Sequence, residues 1–232
     1  MASVFVSTFT YALAKLSGER WADVLARELR DPDASDWPCF RTIGQARRLV
    51  DECVLMVNGS TLITKARSRA AGAFLLSSAD VWLSFDDDVY ADVDVLRRLI
   101  VAARATRGLV GAPCMRRDGA GVNYRDGAGP VFYADEGIQL HAVETVGFGL
   151  VALHRQVVDQ LAKRVPWIGA QFPALFLERI VDGAWVGEDY AFCEQCQAVD
   201  APVHVLCDAP VQHAGRWCRL TAALDLEVPP SP

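Results

Sequence analysis

The sequence predicts an α/β protein with a mostly parallel central sheet flanked by helices and a small antiparallel or mixed extension. Three observations carry this. Short apolar runs of strand type alternate with amphipathic helical stretches through the first half of the chain, the pattern of strands joined by helical crossovers. The second half changes character, with short strands closely spaced and joined by turns. The 232 residues are 52% hydrophobic with a mean hydropathy of +0.16, enough for a substantial buried core and too apolar for a disordered chain.

The elements follow in order. Residues 2–9 alternate as a first strand, and Trp21, Val24, Leu25 and Leu29 mark one helix face. Residues 31–38 are a turn-rich break, 43–52 a helix and 53–57 an apolar strand. Ser60 can cap a helix running to residue 77. After an apolar strand tipped by acids, Asp92 or Asp94 caps a helix whose core face carries Leu96, Leu99, Ile100 and Ala103. Residues 108–114 are another strand, followed by short strands at 131–133, 139–144 and 147–153 and a helix at 156–163. A helix opens at Gly187, and 202–207 form a late strand. The stretches 116–129 and 165–185, rich in Gly, Arg, Pro and aromatics, read as lids over a site or as plain surface loops. A single domain over 1–225 with a flexible tail at 226–232 is expected.

Bulk properties narrow the function. Net charge is −6 with a pI near 5.2 and no Lys/Arg block, which argues against strong nonspecific nucleic-acid binding while leaving room for a local basic patch. No apolar run approaches the roughly 18 residues of a membrane span, and residues 1–6 read as a strand rather than a signal peptide. Seven cysteines, an odd number, suggest reduced thiols in a cytoplasmic protein. Cys193 and Cys196 lack the second pair a zinc site needs and read as helix-face residues. Oligomeric state is not legible.

The chemistry concentrates at Asp86-Asp87-Asp88, which ends the run beginning Val81-Trp82-Leu83. Adjacent carboxylates repel, and a hard divalent cation is the simplest way to offset them. In a strand Asp86 and Asp88 would share a side and Asp87 point away; an acidic turn capping the next helix is the alternative. Open α/β sheets bind ligands beyond the carboxyl ends of their strands. The residues after the first two strands (8–11 and 58–60) reach that same edge. Glu188-Asp189 opens a helix, where carboxylates ordinarily complement the dipole, and His213 follows the late strand in a loop containing Gly215.

Taken in order, Ser60…Arg67, Phe85-Asp86-Asp87-Asp88-Val89, Gly147-Phe148-Gly149-Leu150, Gly187-Glu188-Asp189-Tyr190-Ala191-Phe192-Cys193 and His213-Ala214-Gly215 resemble glycosyltransferases of the GT-A (nucleotide-diphospho-sugar transferase) fold. The closest likeness is to the compact family-2-like proteins of bacteria and phages. The resemblance spans residues 4–215. It implies a DxD-type motif in which Asp88, helped by Asp86 and with His213 as third ligand, holds Mn2+ or Mg2+ on a nucleotide-sugar donor such as a UDP- or GDP-sugar. It places Thr8 and Tyr11 at the nucleotide base, although Phe9-Thr10 departs from the common Pro-Thr-Tyr form. It places Arg67 at a phosphate or an acid of the triplet, with Ser68 where relatives carry Asn. Gly149 would approach the donor sugar, although a tight strand crossing explains glycines there equally well. Asp189 would be the catalytic base of an inverting hexosyl transfer, with Glu188 orienting the acceptor; in a retaining enzyme the pair would contact sugar hydroxyls.

Two other functions fit. A sugar nucleotidyltransferase shares this fold and metal chemistry, but residues 7–13 lack its Gly-rich basic loop. A noncatalytic nucleotide-sugar binding protein would have less reason to keep Asp86, Asp88, Asp189 and His213 together. The acceptor stays open between a saccharide or glycan, a lipid-linked glycan, a protein hydroxyl and a hydroxymethylated base in phage-type DNA. The last would need Arg116, Arg117, Arg125, Arg216 and Arg219 to build a basic surface.

Overall fold

The computed structural model describes residues 3–9, 26–49, 53–58, 62–116, 121–134, 137–213, 216–220 and 226–227. The strands are β1 (Val4–Phe9), β2 (Cys53–Asn58), β3 (Val81–Asp86), β4 (Val89–Tyr90), β5 (Leu109–Gly111), β6 (Tyr124–Tyr133), β7 (Gln139–Val146) and β8 (Leu150–His154). They continue with β9 (Trp167–Ile168), β10 (Phe172–Pro173), β11 (Arg179–Val181), β12 (Ala184–Val186), β13 (Val203–Leu206), β14 (Val211–His213), β15 (Arg216–Leu220) and β16 (Leu226–Glu227). The helices are α1 (Pro38–Arg47), α2 (Ile63–Leu76), α3 (Val93–Thr106), α4 (Arg155–Ala162) and α5 (Glu188–Gln197).

The main sheet has the order β2-β1-β3-β8-β5-β13-β7-β6. β1 pairs in parallel with β2 and β3, and β13 in parallel with β5. β8 runs against both its neighbours, β3 and β5, and β7 runs against β13 and β6. The expected α/β class with a mostly parallel sheet is what forms. Its antiparallel part is divided: β7 and β6 extend one edge, whereas β8 enters the middle. The crossover through α3 carries the chain from β3 past one strand position to β5, and β8 fills that gap.

Strand alternation divides the apolar residues between two cores. Val4, Val6, Val81, Leu83, Phe85, Leu150 and Ala152 meet α1 and α3 on one face. Phe5, Trp82, Val151 and Leu153 meet α2, α4 and α5 on the other. Helices therefore cover both faces, and the sheet is buried as a parallel sheet requires. On the second face an aromatic chain runs from Phe5 and Phe74 through Trp82 to Phe176, which stacks on Phe192 at 4.6 Å and meets the edge of Phe148 at 5.1 Å. The buried indole N–H of Trp82 donates to Ser7 Oγ at 2.8 Å.

Several boundaries differ from the sequence pattern. α1 starts at Pro38, not residue 43, because proline's fixed φ suits a first helical position. The N-cap of α2 is Leu62 without a side-chain cap; Ser60 lies outside the described residues. Asp92 is the cap of α3, accepting from Val95 N at 2.9 Å, and Leu96, Leu99, Ile100 and Ala103 are its buried face. Of the helix expected from Trp21, Val24, Leu25 and Leu29, the first three lie outside the described residues; 26–28 are helical and Leu29 packs against the first core. Within the expected tail, Leu226–Glu227 pair with β15.

Phe192 links the second core to the residues beside the acidic pair. Phe192→Ala should cost about 3–5 kcal/mol, measured as a shift of the urea midpoint at unchanged slope.

Candidate active site

The carboxyl ends of the first three strands align. Phe9 is opposite Asn58 on one side and Asp86 on the other, so the acidic triplet emerges where an open α/β sheet binds its ligands. Asp86 ends β3, its backbone N–H donating to the Gly149 carbonyl at 3.0 Å. Asp87 and Asp88 form the turn into β4. Asp87 lies toward α1, where burial pushes the Cys39 thiol up to about 12 and the Asp87 charge adds to the rise.

β4 then pairs antiparallel with β14, setting His213 opposite Val89. This register brings His213 Nε2 to 3.3 Å from Asp88 Oδ1. On the other side of the ring, Nδ1 lies 2.6 Å from the Met115 carbonyl oxygen. A carbonyl only accepts, so Nδ1 carries the proton and Nε2 is left to face Asp88. A metal-binding histidine is typically oriented in this way, its far ring nitrogen donating to a backbone carbonyl. One ligand atom each from Asp86, Asp88 and His213 falls within a 4.8 Å span. Two carboxylates and an imidazole fit a divalent cation such as Mn2+. Burial alone would lower the basicity of His213, but its bond to Asp88, the Met115 carbonyl and the Asp86 charge raise its pKa overall.

Arg67 of α2 stands behind this corner, 3% exposed. It donates to Asp86 Oδ1 at 2.9 Å and Glu188 Oε1 at 2.6 Å, and its guanidinium lies 5.3 Å from the Phe148 ring centroid. Burial raises the pKa of Asp86, opposed by the Arg67 charge and bond. Glu188 is likewise raised by burial, again opposed by Arg67, with Asp189 adding to the rise.

A cleft of about 550 Å3 opens in front of these groups, lined by Arg67, Asp86, His213, Glu188 and Asp189 and by the Gly147-Phe148-Gly149 turn. Gly187 caps α5 through its backbone, so Glu188 and Asp189 occupy the first helical turn. Asp189 Oδ1 accepts from Tyr190 N at 2.8 Å. A Cβ on Gly147 would meet Asn123 at 3.1 Å and Asp189 Oδ2 at 3.2 Å, and one on Gly149 would meet Cys114 Sγ at 3.1 Å. Close crossing of the chain is thus sufficient reason for both glycines.

Of the residues singled out in the sequence, Arg67, Asp86, Gly149, Glu188, Asp189 and His213 line one cleft, and Asp88 adjoins it through His213. Thr8 is fully buried in β1, and Tyr11 lies outside the described residues. Arg116 lines the cleft, whereas Arg125 packs over the Tyr190 ring at 4.9 Å. The side chains of Arg117, Arg216 and Arg219 lie outside the description. Sequence reasoning missed Asn123 and the Met115 carbonyl. Asn123 Oδ1 accepts from Cys114 N at 2.8 Å and its Nδ2 donates to the Gly147 carbonyl at 3.2 Å, tying the turn to the strand end that holds His213. An Asn among glycines ahead of a strand was its only signal; a backbone carbonyl leaves none. The stretch 116–129, expected as a loop, enters β6 at Tyr124.

No protein-family model and no curated protein sequence matches the chain. Among solved structures, A197 from STIV aligns over 100% of this chain and 96% of its own, at 14% identity and a TM-score of 0.55. The chain shares that fold. A UTP-bound UGPase from Acinetobacter baumannii follows at 12% identity, covering 93% of this chain and 73% of that one with a TM-score of 0.42. The inositol-1-phosphate CTP transferase from T. maritima stands at 12%, 92%, 89% and 0.41. These likenesses concern the fold, and none supports the GT-A assignment specifically.

Two outcomes follow from this geometry. Asp88→Asn should weaken Mn2+ binding at least about tenfold by calorimetric titration, and so should His213→Ala, with the melting temperature of the apo chain little changed. Arg67→Met should cost about 3 kcal/mol near pH 7, since it leaves two buried carboxyls without their cation. The folded chain holds protons on Asp86 and Glu188 more tightly than the unfolded chain does. Their contribution is therefore most favourable at low pH and falls as pH rises above about 4. Removing Arg67 steepens that fall, so the loss in Arg67→Met should be larger at pH 8 than at pH 5 in urea titrations.

Proposed function

We propose that this chain is a divalent-cation-dependent transferase acting on a nucleotide-diphosphate substrate, and that it moves a sugar from a nucleotide sugar to an acceptor hydroxyl. The observation that supports this is the gathering of Asp86, His213 and the Glu188–Asp189 pair in one cleft, with Asp88 adjoining it against His213. Asp86, Asp88 and His213 would hold the cation, which when bound offsets the charge that grows on a diphosphate leaving group. Asp189, at the cleft wall beside Gly147, takes the proton of the attacking hydroxyl. Glu188, fixed by Arg67, orients the acceptor, and Phe148 with its flanking glycines brings the backbone close to the sugar. A UDP- or GDP-sugar is the proposed donor and a glycan the first acceptor to try, with hydroxymethylated duplex DNA the second.

Nucleotidyl transfer is the second reading, and the UGPase and CTP transferase among the structural neighbours stand on its side by name. The attacking group there is a phosphate, already ionised, which needs no carboxylate base. The presence of Asp189 in the cleft is what favours glycosyl transfer.

The two are separated by products. With Mn2+, a panel of nucleotide sugars should yield nucleoside diphosphate, faster with the right acceptor. Asp189→Asn should keep donor affinity and lower turnover about 100-fold or more. Pyrophosphate release from a nucleoside triphosphate and a sugar phosphate, without diphosphate release, would assign nucleotidyl transfer instead. Neither product from a folded, Mn2+-binding chain would remove the transferase reading.

A further inference from the structure

Among the described residues, exposed large apolar side chains concentrate in 167–185, on the two hairpins β9–β10 and β11–β12 and the link between them, which runs on into the cleft. Trp167, Ile168, Leu177, Ile180 and Trp185 are 46%, 52%, 55%, 68% and 67% exposed. Single exposed apolar residues are ordinary, but a run of this density within one segment is not. The β11–β12 register sets Ile180 opposite Trp185. Asp182 and Gly183 hold the tight turn between them at φ of +49° and +79°, so the pair projects on a short, closed hairpin. The β9–β10 hairpin is seated on α2: a Cβ at Gly72 would come within 2.7 Å of Phe172. Between that hairpin and α2 lies a cavity of about 240 Å3, walled by Ile168, Phe172, Phe176 and Leu177 and bordered by Lys65.

The charge around this face is opposite to that of the protein. The whole chain carries −6, yet Lys65, Arg69, Lys163 and Arg164 border the hairpins without an acidic partner among the described residues. Arg69 lies over the Phe172 ring at 5.9 Å, and Trp167 reaches the Ala162 carbonyl just ahead of Lys163. Arg179 is paired with Glu194, which leaves Glu178 and Asp182 as the acids of the segment. A second copy would set these four cations against themselves in a two-fold contact. A nucleic acid would meet the cations but leave Ile168, Leu177 and Ile180 in water.

We propose that this face docks on the surface of an anionic lipid bilayer, the indoles and aliphatic side chains entering the headgroup boundary and the cations meeting the lipid phosphates. Tryptophan favours that depth, and basic residues beside it add electrostatic attraction. β12 leads through Gly187 directly into Glu188 and Asp189, so docking would hold the mouth of the cleft close to the bilayer. The inference does not depend on which group the cleft transfers.

The test is co-sedimentation of the full chain with vesicles of phosphatidylcholine alone or with about 30% phosphatidylserine. The chain should pellet with the anionic vesicles, with a blue shift of Trp emission, and about tenfold less at 0.5 M salt. The double variant Ile180→Ser/Trp185→Ser should bind at least about tenfold more weakly while melting as the parent does. Lys65→Glu/Arg69→Glu should lose the preference for anionic vesicles. Absence of pelleting with anionic vesicles would overturn the proposal, as would unchanged binding by the Ile180/Trp185 variant. A dimer in sedimentation velocity that the same variant dissolves, without vesicle binding, would assign the face to self-association and equally overturn it.

Discussion

The buried guanidinium of Arg67 is the contact on which the cleft depends. It joins α2 to the end of β3 through Asp86 and to the first turn of α5 through Glu188. A cation taken this far from water is costly unless its donors are matched by anions in good geometry. The three elements are therefore held in the one arrangement that supplies both carboxylates. The same contact prevents the acids from repelling one another apart and keeps one oxygen of each committed. Apolar packing alone would not impose this. The Phe148, Phe176 and Phe192 cluster beneath it fixes the distance of α5 from the sheet, but rings tolerate small slides that a two-ended hydrogen-bonded pair does not.

The cation corner rests on a second kind of constraint, register. Asp86 and Asp88 come from one turn, but His213 joins them only because two residues of β4 pair with β14. A slip by one position would turn the imidazole to the other face of that small sheet. The Met115 carbonyl removes the remaining freedom, since it accepts from the far side of the ring. Asn123 carries the same restraint back to Gly147, so the His213 side and the Glu188–Asp189 side of the cleft share a backbone framework.

Much of this was legible in the sequence, for physical reasons that differ by residue. The apolar run Val81–Phe85 and the apolar stripe Leu96, Leu99, Ile100 and Ala103 are local patterns, and the structure buries both. The acids at the end of β3 were conspicuous because nothing in packing explains adjacent charges. Arg67, Glu188 and His213 could be grouped only by their order along a resembling chain; their contacts span long separations that no local pattern encodes. The placement of β8 within the sheet was illegible, because a short apolar strand reads alike at an edge or in the middle. The early start of α1 is hidden because a proline after a turn-rich stretch fits the end of a break as well as the first position of a helix. Thr8, read at the nucleotide base, is enclosed in β1 with no exposed surface.

The long reach of the β4–β14 pairing bears on how the protein matures. Arg67 and both aspartates leave the ribosome well before the imidazole that completes their corner. Until β14 docks, a nascent chain presents clustered carboxylates with no third ligand and weak hold on any ion. Cation capture would then come late and select chains whose last strands have closed. The proposed cation site is thus complete only once β4 and β14 have paired.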